Sequence, residues 1–279
     1  MLIPLLLLML ALLLRAEVTM AAASAACRLF VTAVLPGLFP YMVLSLMAVS
    51  RVKRPSPGMV MLLGWGGGSP TGARLLPLCK GLSHGEQLRL AVSCATMSPM
   101  FLLGTVGGWL DSPLAGAVVL GSVIAGGYFA GLIAGWKAPA AVPEEAGGAS
   151  PSPTAPLTFG AAVERSARTM LLVCGTMVML RVFAALAGEA LPSAWILPVT
   201  TLLEVTTGTA EIAALPLPLM WRTALIAGST GFGGMAVILQ NRAVYPAGFM
   251  PLGQQLLWQA VHGGVSFLLA LGTMWLTRC

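Results

Sequence analysis

Residues 64–81, "GWGGGSPTGARLLPLCKG", interrupt an otherwise apolar chain with three consecutive glycines, a Ser-Pro pair and a Thr-Gly pair. Glycine and proline end helices, so this stretch breaks a hydrophobic helix instead of continuing it. At membrane depth, backbone without helical hydrogen bonds is tolerated only where protein or a polar cavity surrounds it. The stretch therefore predicts a break that serves a purpose, provided that the chain lies in a membrane.

The composition supports that setting. The chain has 279 residues, of which 57% are hydrophobic and 9% are charged, whereas soluble domains carry roughly 25% charged residues. So few charges cannot cover a surface that faces water on all sides, and the sequence predicts an all-α, polytopic integral membrane protein. The net charge of +6 comes from basic residues scattered at segment ends, which does not indicate binding to nucleic acid.

Cysteine and histidine positions argue against metal or redox chemistry. No CxxC pair is present, and the two histidines lie far apart in sequence. The "GWGGGS" stretch lacks the Lys-Ser/Thr of a P-loop, and no nucleophile and base share a plausible spacing. We therefore expect no cofactor, no metal and no enzyme activity.

Composition divides the chain into four segments. Residues 1–17 form an N-terminal hydrophobic helix, and residues 137–157 form a flexible linker rich in Pro, Ala and Gly. The linker separates a first repeat, 18–136, from a second repeat, 158–279.

The two repeats carry interruptions in matching order. In the first, "GGGSPTGARLLPL" precedes "ATMSPMFLLG", and in the second, "LEVTTGTAEIAAL" precedes "GSTGFGGMAVIL". Gly72 and Pro99 are 27 positions apart, and Gly208 and Gly234 are 26 positions apart. Each half then reads as hairpin, broken helix and span, with breaks at Ser98-Pro99, at residues 206–208 and at residues 229–234. The sequence predicts about seven spanning helices plus two re-entrant hairpins.

Loop charges indicate how the halves are oriented. The loop at 51–54 holds three basic residues, whereas the matching loop at 188–194 holds one acidic residue and no basic one. Because basic loops stay cytoplasmic, the two loops should face opposite sides of the membrane, with the linker in the cytoplasm. This arrangement is an inverted repeat.

Inverted repeats with discontinuous helices are typical of secondary transporters, which bind solutes near the membrane midplane. Half-helix N-termini favour a small anion there, so a small anionic solute and membrane lipid are the expected partners. Simple kinks or close helix contacts are the alternative explanation of the breaks. The candidate substrate-binding residues are Gly68, Ser69, Thr71, Gly72, Arg74, Thr96, Ser98, Glu204, Thr206, Thr207, Gly208, Phe232, Gly233 and Gly234.

Three ionisable residues leave alternatives open. Glu204 precedes a break in an apolar stretch, where a carboxylate is costly and therefore suggests function. It could carry a proton together with the anion, or it could accept hydrogen bonds from N–H groups freed at the break. Arg74 could contact the anion or extend its charge to the membrane interface. His262, within the last span, is more typical of a helix contact than of a proton carrier.

Four stretches also resemble a known family. "LFPYMVLSLM", "GGSPTGAR", "LLEVTTGTAEIA" and "GFGGMAVILQ" are similar to the YlbJ (SpoVV) family of sporulation integral membrane proteins, which carry the nucleoside-recognition Gate domain. The resemblance covers residues 27–134 and 158–272, and it implies two Gate-like repeats. Family members are longer than this chain.

The resemblance implies a function in endospore formation. It would place the protein in the outer forespore membrane, moving dipicolinate out of the mother cell alongside other spore-envelope transport proteins. Trp65 or Phe232 could stack on the dipicolinate ring. The alternatives are transport of another solute, such as a nucleoside or a cation, and a structural sporulation protein without transport activity. A homo-oligomer stays open.

Overall fold

The computed structural model describes residues 2–79, 81–138 and 156–277, and these residues form an all-α protein. Among them, five helices are long and apolar enough to cross a membrane, which indicates a multi-pass membrane protein. These five are Ala16–Ser50, Pro113–Trp136, Phe159–Ala190, Leu219–Arg242 and Leu252–Thr277.

The first half of the chain contains the helices α1 to α7. Local sequence sets their starts: Ser56 and Ser112 accept hydrogen bonds from backbone N–H groups of the helices that follow, and a proline opens each of those helices. The bounds are α1 Leu2–Leu14, α2 Ala16–Ser50, α3 Pro57–Gly67, α4 Thr71–Leu75, α5 His84–Ser93, α6 at 99–109 and α7 Pro113–Trp136.

The second half contains the helices α8 to α13. Thr158 caps the first of them through its side chain, and a left-handed glycine, Gly233, ends the fourth. The bounds are α8 Phe159–Ala190, α9 Ser193–Leu203, α10 Val205–Ala213, α11 Leu219–Phe232, α12 Gly234–Arg242 and α13 Leu252–Thr277.

Both halves present the same order of elements: a long helix, a helical hairpin, a broken helix and a second long helix. The hairpins are α3–α4, with its tip at residues 68–70, and α9–α10, which turns at Glu204. The broken helices are α5–α6 and α11–α12. Linker residues 139–155 lie outside the described residues.

One predicted break lies at other residues than expected. The first broken helix is interrupted at the non-helical residues 95–98 and resumes at Pro99, in line with the predicted break at Ser98-Pro99. In the second hairpin, Thr206–Gly208 are helical and the turn is Glu204. Glu204 produces this shift because its carboxylate caps the next helix and draws Thr206 and Thr207 into the first helical turn.

The last long helices of the two halves, α7 and α13, pack antiparallel. Ala115 at the start of α7 shares an apolar cluster with Met274 near the end of α13. At the other end of the pair, Ala134 shares a second cluster with Trp258. Glycines on α7 allow a close approach, because a Cβ on Gly126 would lie 2.3 Å from Ser266 Oγ.

The first long helices, α2 and α8, also pack antiparallel. Arg15, just before α2, forms a 3.2 Å ion pair with Glu189 near the end of α8. At the other end, the Leu157 N–H before α8 donates to Ser50 Oγ over 3.0 Å. Both pairs of equivalent long helices therefore run in opposite directions.

These contacts separate two ends of the molecule. One end holds Ser50, Leu157, the end of α7 and the start of α13. It carries most of the described basic residues that lie in loops or close to them, and we call it the basic end. Hairpin α3–α4 starts and finishes there, since Cys79 Sγ lies 3.7 Å from the Pro55 carbonyl oxygen. Hairpin α9–α10 starts and finishes at the opposite end, where Leu197 and Ala213 share a cluster with Leu110. The basic residues in the loops and at the helix end here are Arg51, Lys53, Arg54, Lys137 and Arg242.

The N-terminal helix α1 has 13 residues, which span about 20 Å at 1.5 Å per residue. A hydrocarbon core of about 30 Å needs a longer helix. As an isolated element, α1 therefore falls short of the seventh span that the sequence predicted.

We expect Gly126→Val to destabilise the protein by about 1–3 kcal/mol, the usual cost of overfilling a packed interface. The added side chain would meet Ser266 Oγ and the His262 carbonyl oxygen across the α7–α13 contact. Gly121→Val is the matched control on the same helix, since a Cβ there meets nothing within 4 Å. Thermal unfolding in detergent checks the pair, and equal stability of both variants would contradict the close packing.

Candidate functional site

A cavity lies where the two halves meet, and equivalent elements of both halves line it. Each half contributes its first long helix, its hairpin tip and its broken helix. Its volume of about 30 Å³ has room for about two water molecules. The lining residues are Val34, Leu38, Ser69, Met97, Ser98, Phe101, Val173, Met177, Glu204, Val205, Thr206, Ala236, Val237 and Gln240.

The tip of hairpin α3–α4 is fixed by contacts to both halves. The Ser69 N–H donates to the Thr96 carbonyl oxygen over 2.6 Å, within the same half. Asn241 of the second half donates from Nδ2 to Ser69 Oγ over 3.2 Å. Gly68 has φ +65°, and a Cβ there would lie 2.5 Å from the Ser98 nitrogen. Glycine is thus required at Gly68 both by its backbone conformation and by the close approach of the neighbouring chain.

The polar groups at the first break mostly serve the backbone. Ser98 Oγ accepts from the Phe101 N–H over 3.3 Å and so caps α6, which begins with Pro99. The Ser98 hydroxyl also lies 3.4 Å from the Gly37 carbonyl oxygen, to which it donates. Thr96 is buried, and its Oγ1 has no hydrogen-bond partner among the described residues.

Glu204 is fully buried and forms the turn of the second hairpin. Its two carboxylate oxygens accept from the Thr206 N–H over 2.9 Å and the Thr207 N–H over 2.7 Å. The positive end of α10 therefore already faces a carboxylate of its own chain. This geometry supports the structural alternative for Glu204, which also lines the cavity.

Two left-handed glycines form the second break. Gly233 and Gly234 have φ of +79° and +65°, and a Cβ on Gly234 would lie 3.2 Å from the Thr201 carbonyl oxygen. Beyond the break, Gln240 lines the cavity and donates from Nε2 to Thr176 Oγ1 on α8 over 2.8 Å. The second broken helix is thus held against both its own hairpin and the long helix α8.

The cavity gathers four of the fourteen predicted site residues in its lining: Ser69, Ser98, Glu204 and Thr206. Five more lie directly behind them in the two tips and breaks. These five are Gly68, Thr96, Thr207, Gly233 and Gly234.

The other five predicted residues do not line the cavity. A Cβ on Gly72 would meet Cys94, and one on Gly208 would meet Thr201, so both glycines serve helix packing. Thr71 is buried beside Gly67, and its hydroxyl donates to the Gly67 carbonyl oxygen over 3.4 Å. The fourth and fifth are Arg74 and Phe232, and Trp65 likewise lies outside the lining.

Sequence reasoning missed Gln240 and Asn241 as parts of the site. Both are buried, and they reach opposite partners, Thr176 and the hairpin tip at Ser69. The available signal was an adjacent pair of amide side chains directly after the apolar run "AVIL". Buried amides in a membrane helix need partners on neighbouring helices.

Glu204 is the single ionisable residue in the lining of the cavity. Outside it, Arg181 of α8 holds both limbs of the second hairpin: its guanidinium lies 3.2 Å from the Glu211 carboxylate and 3.4 Å from Thr200 Oγ1. Within the described parts of the chain, no three His, Cys, Asp or Glu side chains come together as metal ligands.

Comparisons of this chain with known protein families, with curated proteins and with solved structures gave no match. The resemblance to the YlbJ family therefore stays a prediction.

We expect Gly68→Ala to destabilise the protein more than Gly81→Ala. Both glycines have positive φ, +65° and +77°. Gly68 combines it with ψ −172°, a region that essentially only glycine adopts, so alanine there costs on the order of 1–3 kcal/mol in strain. At Gly68 the new Cβ also collides with the Ser98 backbone, whereas at Gly81 it meets nothing within 4 Å. The unfolding temperatures of the two variants check this prediction, and identical values would contradict the strained backbone and the close contact at the tip.

Proposed function

We propose that this protein is a secondary transporter that moves a small solute through the central cavity. The main support for this proposal is that both hairpin tips, both broken helices and both first long helices line the cavity. A kink that served only packing would not need to meet its counterpart from the other half. Discontinuous helices gathered around one central point are the arrangement that transporters use for solute binding.

In this proposal the two halves form an inverted repeat, related by an axis in the membrane plane. Such an axis reverses the direction of every element, and the equivalent pairs α2/α8 and α7/α13 run antiparallel, in keeping with it. The hairpins enter from opposite ends. Together with the broken helix α5–α6, the five long apolar helices would give six crossings plus two re-entrant hairpins.

The central cavity is too small to hold a solute in this conformation. Room for about two waters is too small for a solute of several heavy atoms, so the hairpin tips must part from the broken helices for passage. Two hydrogen bonds hold these elements, Asn241–Ser69 between the halves and Gln240–Thr176 within the second half, and both are neutral. Neutral hydrogen bonds contribute about 0.5–1.5 kcal/mol each, so both can break during a transport cycle.

The resemblance adds dipicolinate, moved across the outer forespore membrane during sporulation, as the first substrate to test. A dianion in this cavity would face the Glu204 carboxylate with no cation in the lining. The proposal therefore includes protonation of Glu204 when the anion binds. A nucleoside or another neutral solute needs no such step and is the second candidate.

The orientation can be tested with single cysteines in a background without the native ones. Val52→Cys lies in the loop at the basic end and Ser193→Cys at the opposite end, and both positions are exposed. We expect an impermeant maleimide to label Ser193→Cys in intact cells and Val52→Cys only after permeabilisation, since basic loops stay cytoplasmic. Labelling of both from the same side would contradict the inverted repeat.

Transport itself can be tested with purified protein in liposomes offered dipicolinate, nucleosides and related dicarboxylates. If dipicolinate is carried with a proton, uptake by the parent protein rises as the pH falls. Glu204→Gln should then transport with a flat pH profile, because glutamine imitates the protonated acid and its amide oxygen can still accept one N–H at the helix cap. Glu189→Gln, at the membrane edge, is the matched control and should keep the parent profile. An unchanged pH profile in Glu204→Gln contradicts the proton step.

A further inference from the structure

A second, smaller pocket lies on the basic-end side of the first break. It has a volume of about 10 Å³ and is lined by the end of α5, the loop 243–251 and the first two turns of α13. Three polar side chains, Gln255, Trp258 and Gln259, enter it from one face of α13, each at least 94% buried. The remaining lining residues are Ala91, Val92, Ala95, Tyr245 and Met250.

Four polar atoms of these side chains have no partner among the described residues. Two are donors, Trp258 Nε1 and Gln259 Nε2, and two are acceptors, Gln255 Oε1 and Gln259 Oε1. A buried polar group without a partner costs about 1–3 kcal/mol by protein measurements, and the bilayer core supplies no water to relieve it. An anion would satisfy only the two donors, whereas water offers both roles and fits a volume of about 10 Å³.

The pocket borders the central cavity through a wall of non-helical chain. Ala95 lines the pocket, and Met97 and Ser98, two and three residues later, line the cavity. Thr96 lies between them, buried and with an unpartnered hydroxyl oxygen among the described residues. Water in the pocket would therefore lie against the backbone that closes the cavity toward the basic end.

The corresponding region of the other half is lined by apolar side chains. There α11 packs against the first turns of α7 in an apolar cluster that includes Val119, Ala224 and Ala227. Its side chains offer water no hydrogen bond, and a cavity with apolar walls stays dry. The two halves match in backbone order and differ in the polarity of this contact.

We propose that the Gln255–Trp258–Gln259 pocket is a hydration site through which water from the basic end reaches the wall of the central cavity. The apolar contact of α7 and α11 keeps the opposite end dry. In this conformation the central cavity has room for only about two waters, and the proposed hydration reaches it from one end. The role in the transport path rests on the proposed function, whereas the water site itself does not.

Millisecond hydroxyl-radical labelling of the full chain in nanodiscs tests this site, because radicals formed from bound water oxidise the side chains beside it. Met250 is 5% exposed and lines the pocket, while Met170 is 4% exposed and packs in an apolar cluster. We expect Met250 and Trp258 to be oxidised several-fold faster than Met170 and than the fully buried Met274 of the opposite end. Equal rates at Met250 and Met170 would overturn the hydration site.

Substitutions on α13 give a second readout. Gln259→Leu should remove most of the Met250 labelling, because it deletes one donor and one acceptor and fills the pocket with carbon. Gln254→Leu is the matched control on the same helix: residue 254 does not line the pocket, and its variant should keep the labelling. If Gln259→Leu unfolds, Gln255→Leu takes its place, and undiminished labelling in a folded variant overturns the proposal. Transport is measured separately, so a dry pocket in a working transporter would refute this inference alone.

Discussion

Hydrogen bonding of interrupted backbone inside a hydrocarbon solvent is the constraint on which this structure depends. Four helix interruptions free N–H and C=O groups, which lipid could not satisfy at the membrane depth proposed for them. The protein meets this requirement by turning the interruptions toward one another and by capping them with its own side chains. Ser98 caps α6, Glu204 caps α10, and the Ser69 N–H donates to Thr96 across the first break. The two hairpins and two broken helices must therefore share one centre, and the cavity follows from that requirement.

The same requirement explains which polar groups line the cavity. Its hydroxyls and its carboxylate lie there because helix ends need caps, and several of their hydrogen bonds are already used by backbone. A carboxylate at the bilayer centre is expensive, and Glu204 is tolerated because two N–H groups at a positive helix end face it. A capping carboxylate that also borders a cavity interacts electrostatically with a charge bound there. In the function proposed above, this interaction couples the solute to a proton.

The two halves differ in ways that would allow the two faces of the proposed transporter to open at different times. The halves share one order of elements, yet the first hairpin turns through three residues and the second through one. Arg181 holds both limbs of the second hairpin to α8 through Glu211 and Thr200. The first hairpin is held within its own half by the Trp65 indole N–H, which donates to the Ser93 carbonyl oxygen over 2.9 Å, and its tip is joined to the other half by the bond of Asn241 to Ser69. A carrier needs its two faces to open at different times, and unequal anchoring of the two hairpins gives a physical basis for that difference.

The sequence alone predicted a lipid environment, an all-α fold and the order of the helix interruptions. The low charge content indicates the environment, and glycine or proline breaks act locally along the chain. It also identified Ser69, Ser98, Glu204 and Thr206 as residues that meet. It misplaced the second hairpin turn, since only the folded chain shows that the Glu204 carboxylate extends the next helix back over Thr206–Gly208. It could not place Gln240 and Asn241, whose partners lie 64 and 172 positions away. Which side chains face a cavity depends on how helices from distant segments rotate against one another, and that rotation is decided by tertiary packing across the whole chain.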